Sequence, residues 1–377
     1  MIRIIALLSP VYVSLFWSIV LSTNPKKFSY PRVYLGRFML IPMLVYFTHF
    51  LYFAPLPNIF PYFDALFAYT SLLVFPLYYI YFRLLTVDSK FSLKIHGKYL
   101  IVGTIAGTLY AIGVLLAPKM EYRVWLYNQT SFADNPQIKF LAQMRILGKI
   151  TYLIQVILTV IGNFQLIRKY GAKAEQYYSD IDDGKYNNAK ILNYSIIAMS
   201  VVAFFFGAMG RYSLSHFDTY IEYGWSIFAI ILFVIGYMGF KQKALNPTFE
   251  LSNAKEDLNQ NIDISDEVQK KILDKLLFEF EHNKIYLNNQ LNIMDVVDII
   301  GTNRTYISAI INKQYNLNFC SFVNNYRLEE LKRIITENPN LNKVTLAENS
   351  GFGSFSSMKR TIESRTGYTY SKWKNNF

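Results

Sequence analysis

The sequence predicts an all-α protein: a seven-helix transmembrane bundle followed by an all-α cytoplasmic domain in which two helix-turn-helix units are joined by a linker helix. Three observations lead there. Every long apolar run lies before Thr248, and the chain after it carries ordinary amphipathic patterning. A helix, a short turn containing glycine and a second helix recur about fifty residues apart near the C-terminus. The composition agrees, since 52% of the 377 residues are hydrophobic and only 17% charged, against about a quarter charged in soluble chains. The composition excludes disorder and collagen, and the single cysteine, Cys320, excludes a disulfide scaffold because it cannot make an internal bridge. The organisation expected is a transmembrane sensor region over 1–245, a linker over 246–264 and the double helix-turn-helix domain over 265–377.

The apolar runs cover 4–21, 36–54, 61–82, 99–117, 146–167, 191–210 and 223–240. Each is near the ~20 residues that a helix needs to cross the hydrocarbon core. The first follows only Met1, Ile2 and Arg3 and lacks a small-residue cleavage pattern, so it reads as a retained helix and not as a signal peptide. Lys and Arg in the connections orient the bundle. Lys26, Lys27, Arg32 and Arg37 lie in or beside the first connection, Arg83, Lys90, Lys94 and Lys98 the third, and Arg168, Lys169, Lys173, Lys185 and Lys190 the fifth. These are expected inside, which puts the N-terminus outside and the C-terminal domain in the cytoplasm, in a multi-pass membrane protein. The fourth connection, with Lys119, Arg123, Lys139 and Arg145, is a partial exception among longer loops.

Polar groups within the runs are few: His49, Asp64, Gln155, Asn163, Gln165 and Asn193. An ionisable or amide group at membrane depth is a site candidate, and His49, Asp64, Gln155 and Asn163 are the candidates for binding an unknown signal ligand. His49 and Asp64 fall near run ends, where an interfacial position costs little. Gly103 and Gly107 form a small-xxx-small pair of the kind that seats a neighbouring helix. The chain lacks His-Glu-x-x-His, paired intramembrane carboxylates and a phosphate-binding glycine loop. No enzymatic activity, metal or cofactor is therefore expected. A multi-span transporter with a regulatory tail is the alternative, and it predicts broken helices or buried charge at the midplane.

In the second part, Val268, Ile272, Leu276, Leu277 and Phe280 give one apolar helical stripe. Asn292 with an acid three residues on, Asp295, marks a helix start. Gly301-Thr302-Asn303 breaks that helix, and a second follows from Arg304 with Ile307 and Ile311 on its inner face. The pattern recurs as 344–350, Gly351-Phe352-Gly353 and a helix with Met358 and Ile362 facing inward. Between them Phe319, Phe322, Val323, Tyr326, Leu331, Ile334 and Ile335 predict a long amphipathic helix.

These residues carry a resemblance. Asp295-x-Val297-x-x-x-Gly301, Tyr306-Ile307-Ser308, Phe322-Val323-x-x-Tyr326-Arg327-Leu328-Glu329-Glu330, Leu346-Ala347-x-x-x-Gly351-Phe352 and Gly367-x-Thr369 are similar to the AraC/XylS-type DNA-binding domain of bacterial transcription regulators. Val297 and Leu331 stand where that family commonly has Ala, Asn316 where it has Gly, Ile362-Glu363 where it has an aromatic residue and Lys, and Tyr370 where it has Pro. The resemblance implies two recognition helices entering successive major-groove segments of double-stranded DNA. It also implies RNA polymerase and a second copy of the chain as further partners, beside membrane lipid. The multi-span N-terminal part resembles membrane-embedded bacterial regulators by architecture alone.

With Ile307 and Ile311 inward, Arg304, Thr305, Ser308, Ala309 and Asn312 form the outer face of the first recognition helix. Phe355, Ser356, Lys359 and Arg360 form that of the second, beside Glu363. Arg360 or Lys359 can reach guanine N7 and O6, whereas Ser308 and Ala309 are short, so the second unit is expected to carry more direct readout. Asn303 and Ser354 fall at helix starts, where they cap backbone N–H groups. Arg327, beside Glu329 and Glu330, is open to a phosphate contact or a structural ion pair. Signal transfer is expected through the linker. The formal charge of +12 is not itself a nucleic-acid signature: residues 1–245 hold 22 basic against 10 acidic groups and residues 246–377 hold 16 of each. The excess reports topology and anionic headgroups, while residues 292–377, with 11 basic against 7 acidic, keep a modest local surplus.

Overall fold

The computed structural model describes residues 2–23, 29–53, 58–88, 90–128, 135–179, 183–214, 218–241 and 266–375; the expected linker over 246–264 lies outside them. Among the described residues the regular structure is helical, apart from one isolated bridge between Tyr178 and Asn292. Two compact units divide the chain, 1–167 with 188–254 and 168–187 with 255–377. The connection between the fifth and sixth apolar runs thus belongs with the C-terminal unit.

The first unit is built from α1 (Ile2–Ser22), α2 (Tyr30–Phe38), α3 (Leu40–Phe53), α4 (Asp64–Thr86), α5 (Leu93–Leu116), α6 (Lys119–Asn128), most of α7 (Pro136–Tyr177), α8 (Asp183–Leu214) and α9 (Asp218–Lys241). Among the described residues seven helical stretches are long and apolar enough to cross a membrane, α2 and α3 together making one. Their break has a local cause: Pro42 has no N–H for the Phe38 carbonyl. Pro10 leaves the Ala6 carbonyl free in the same way, and the Ser9 hydroxyl takes it over at 2.7 Å. In lipid such a repair matters, because no water is at hand.

Proline and glycine also set how α4 meets its neighbours. Pro76 frees the carbonyl of Leu72, and Gly103 of α5 lies against it: a Cβ at position 103 would stand 2.6 Å from the Leu72 oxygen and 3.0 Å from Nε2 of Gln155. One turn on, a Cβ at Gly107 would stand 2.6 Å from the Tyr69 ring. The pair seats α5 on α4, as small-xxx-small spacing predicts. Gly162 of α7 does the same against Tyr79, at 2.7 Å, and the Thr159 hydroxyl donates to the Phe75 carbonyl at 3.2 Å.

The second unit contains α10 (Asp266–Glu281), α11 (Ile293–Ile300), α12 (Arg304–Tyr315), α13 (Phe319–Glu337), α14 (Lys343–Asn349), α15 (Phe355–Thr366) and α16 (Tyr370–Lys374). The stripe of α10 corrects the sequence reading in one place. Val268 is exposed and Gln269 is buried instead, continuing to Ile272, Leu276 and Phe280. The amide is tolerated there because its oxygen accepts from Lys313 at 3.0 Å. α11 starts with a complete capping box. Asn292 Oδ1 accepts from Met294 and Asp295, and Asp295 Oδ2 accepts from the Asn292 N–H. It ends on Gly301 in the left-handed region, φ 75°.

Replacing Gly103 with Ala should lower the unfolding free energy of the full chain in detergent by about 1–3 kcal/mol, the usual cost of overpacking. Gly97→Ala on the same helix has nothing within 4 Å of the new Cβ and should leave the melting curve unchanged or raise it. Asn292→Ala should cost about 1 kcal/mol through the lost cap, read by the same denaturation.

Candidate nucleic-acid interface

α11 and α12 form one helix-turn-helix, α14 and α15 a second, and α13 runs between them. The inner faces are as the periodicity predicts, since Ile307, Ile311, Met358 and Ile362 have almost no exposed surface. Both second helices are capped by the expected residues: Asn303 Oδ1 accepts from the Tyr306 N–H at 2.9 Å, and Ser354 Oγ from Ser357 at 3.1 Å. Capping fixes the start of each helix, the end at which recognition helices approach base edges. Gly351, at φ 84°, closes the second turn where a Cβ would stand 2.6 Å from the Tyr286 carbonyl oxygen.

On the outer face of α12, Ala309 and Asn312 are exposed, while Arg304, Thr305 and Ser308 are half-buried. The Arg304 guanidinium lies over the Tyr177 ring, 5.8 Å from its centroid. On α15, Ser356, Lys359 and Arg360 are exposed, and Lys359 reaches Glu363 one turn on at 3.7 Å. Phe355 departs from the expected outer face. It packs against the core of Leu346, Phe352, Met358, Ile362 and Trp373, with its ring edge-on to Tyr370 at 5.2 Å. An aromatic ring gains more from that burial than from solvent, and Tyr370 is itself part of the same core. Sequence reasoning missed Lys343, an exposed cation at the start of α14 whose ammonium sits 5.5 Å from the Phe355 ring. Its signal was only its place one residue after the capping Asn342.

Arg327 answers neither of its two sequence readings. It has no exposed surface, and its guanidinium donates to the carbonyls of Tyr286 at 2.8 Å, Asn288 at 2.8 Å and Ser179 at 3.1 Å, and to Ser179 Oγ at 2.9 Å. The neighbouring Glu330 is instead paired with Arg333 at 2.7 Å and Lys284 at 3.3 Å.

The ligand candidates of the first unit are distributed, not convergent. Asp64 is buried and accepts from Tyr110 at 2.5 Å and Tyr122 at 2.9 Å, with the Arg145 guanidinium at 3.9 Å. The carboxylate stands at the first residue of α4, as its place at the run end predicts, and it ties α4, α5, α6 and α7 together. His49 is half-buried among the rings of Phe67 and Trp225. Asn163 donates to Asn193 at 3.1 Å, both fully buried. Gln155 lies on the same face of α7 as Asn163, with Thr151 and Thr159 completing a buried stripe at four-residue spacing. Among the described residues no three His, Cys, Asp or Glu side chains come together as a metal site.

Comparison with protein-family models, with curated proteins and with solved structures gives no match to this chain.

Hydrogen bonds from Arg333 hold the Glu330 carboxyl below its ordinary value; burial opposes the shift and Lys284 assists it. A carboxylate with a lowered folded-state pKa stabilises above its unfolded value, about 4.3, and that contribution disappears as pH falls through the folded value. Denaturant unfolding across the acid range should therefore show a limb that Glu330→Gln flattens. The difference should stay below about 1 kcal/mol, because Arg333 and Lys284 are 49% and 40% exposed.

Proposed function

We propose that this chain is a membrane-embedded, one-component transcription regulator of the AraC/XylS type, in which the transmembrane region senses a signal and the C-terminal unit binds specific DNA. The observation that carries the reading is the paired helix-turn-helix geometry. Two capped helices with buried inner faces present Ala309 and Asn312 on one and Ser356, Lys359 and Arg360 on the other. The 19 residues of α13 between them extend about 28 Å at 1.5 Å per residue, comparable with the ~34 Å turn of duplex DNA.

Four of the departures from the family pattern are accommodated by the fold. Asn316 takes φ 54° at the end of α12, the left-handed position that Gly or Asn fills. Val297, Leu331 and Tyr370 are buried and fill core volume. The basic connections favour an external N-terminus and a cytoplasmic C-terminal unit. Duplex DNA and lipid are the partners this reading requires, with RNA polymerase and a second copy following from the family resemblance.

Genome-wide occupancy of the tagged full chain should recover discrete sites whose binding weakens steeply with salt; uniform occupancy would sink the reading. On a recovered site, Arg360→Ala should relax preference at one or two adjacent base pairs, a loss of about 1–3 kcal/mol of discrimination. Equal weakening on every duplex would make Arg360 a phosphate contact.

A further inference from the structure

Residues 174–179, at the end of α7, lie against the start of three helices of the DNA-binding unit. Glu175 accepts from the side chain of Asn318, the cap of α13, at 3.2 Å. Tyr177, itself buried, carries the Arg304 guanidinium of α12. Tyr178 bridges to Asn292, the cap of α11, and the Ser179 N–H donates to the Leu291 carbonyl at 3.0 Å. Ser179 has no exposed surface, and Arg327 holds both its carbonyl and its hydroxyl. Cys320 adds a thiol contact to the same carbonyl at 3.4 Å.

Helix N-termini are where a phosphate backbone is received, and the first residues of a recognition helix are those that reach the bases. Here a carboxylate stands at one such terminus and an aromatic ring engages the guanidinium at another. On the reading proposed above, we infer that residues 174–179, at the end of α7, are an autoinhibitory strap. Seated, it occupies the phosphate-facing ends of the first helix-turn-helix; withdrawn, it frees Arg304 and the caps for duplex DNA. The strap is continuous with α7, the helix that carries Gln155 and Asn163, so a displacement of that helix by a signal moves Tyr177 and Ser179 directly. The coupling expected through the chain between 246 and 264 would thus have a second route through the end of α7. A signal shifts the balance only by favouring the withdrawn state.

The test uses the full chain in lipid nanodiscs and a labelled duplex of its most strongly occupied site. Ser179→Cys adds a second thiol at the residue whose carbonyl Cys320, the one native cysteine, contacts. Mild oxidation should give an intramolecular disulfide, seen by mass spectrometry, and lower duplex affinity at least tenfold, with recovery on reduction. The unsubstituted chain should respond to neither treatment. Ser179→Ala, which removes one acceptor of Arg327 without cross-linking, should raise affinity severalfold. A complete disulfide that leaves affinity unchanged, or failure of the two thiols to pair, overturns the strap while DNA binding stands. Pairing with no duplex bound in either redox state overturns the DNA-binding reading and the strap with it.

Discussion

The second unit is organised around the Arg327 guanidinium. A buried cation is stable only when its donors all find acceptors, and a guanidinium carries five N–H groups in a fixed plane. That requirement draws the turn at 286–288 and Ser179 to one point on α13. Phe352 of the second helix-turn-helix lies against the same group, 5.8 Å from ring centroid to Cζ, and Gly351 approaches it closely enough that a Cβ would meet Nε at 3.2 Å. One side chain thus joins the approach to the first helix-turn-helix, the linker helix, the second turn and the connection from α7. Hydrophobic burial builds the two small cores on either side, but Arg327 sets how the segments between them are tied.

The first unit meets the opposite constraint. Among the described residues its seven apolar helical stretches are long enough to cross a membrane, and in lipid each irregularity in a helix has to be satisfied from within. Ser9 covers the carbonyl freed by Pro10, and Asp64 is neutralised and ligated by Tyr110, Tyr122 and Arg145. Close contacts come from missing side chains: Gly103, Gly107 and Gly162 let α5 and α7 lie against the proline-bearing α4. The buried polar stripe of α7 then runs on a helix that continues into the unit carrying the two helix-turn-helix motifs.

How much of this was legible varied with the kind of signal. Periodicity gave the inner faces correctly at Ile307, Ile311, Met358 and Ile362, because a 3.6-residue repeat is a local property that burial only ratifies. Capping at Asn292, Asn303 and Ser354 was legible for the same reason. The readings that shifted were those decided by distant partners. Gln269 replaced Val268 inside α10 because Lys313 reaches its amide. Phe355 turned inward because Tyr370, fifteen positions on, offers it a ring edge. The partners of Asp64 were illegible for the same reason: three other helices bring it hydrogen-bond donors and a cation.

What the sequence determined by itself was which part carries the long apolar helices and the period of each helix. Both follow from side-chain transfer energies and local backbone geometry, which need no knowledge of the fold. The tertiary structure alone decided that residues 168–187 leave the bundle and join the C-terminal unit, and that Arg327 is a buried tie. Those outcomes depend on carbonyls at Tyr286, Asn288 and Ser179 meeting one guanidinium. Backbone acceptors carry no residue-specific signal, so no reading of side chains along the chain reveals where they converge.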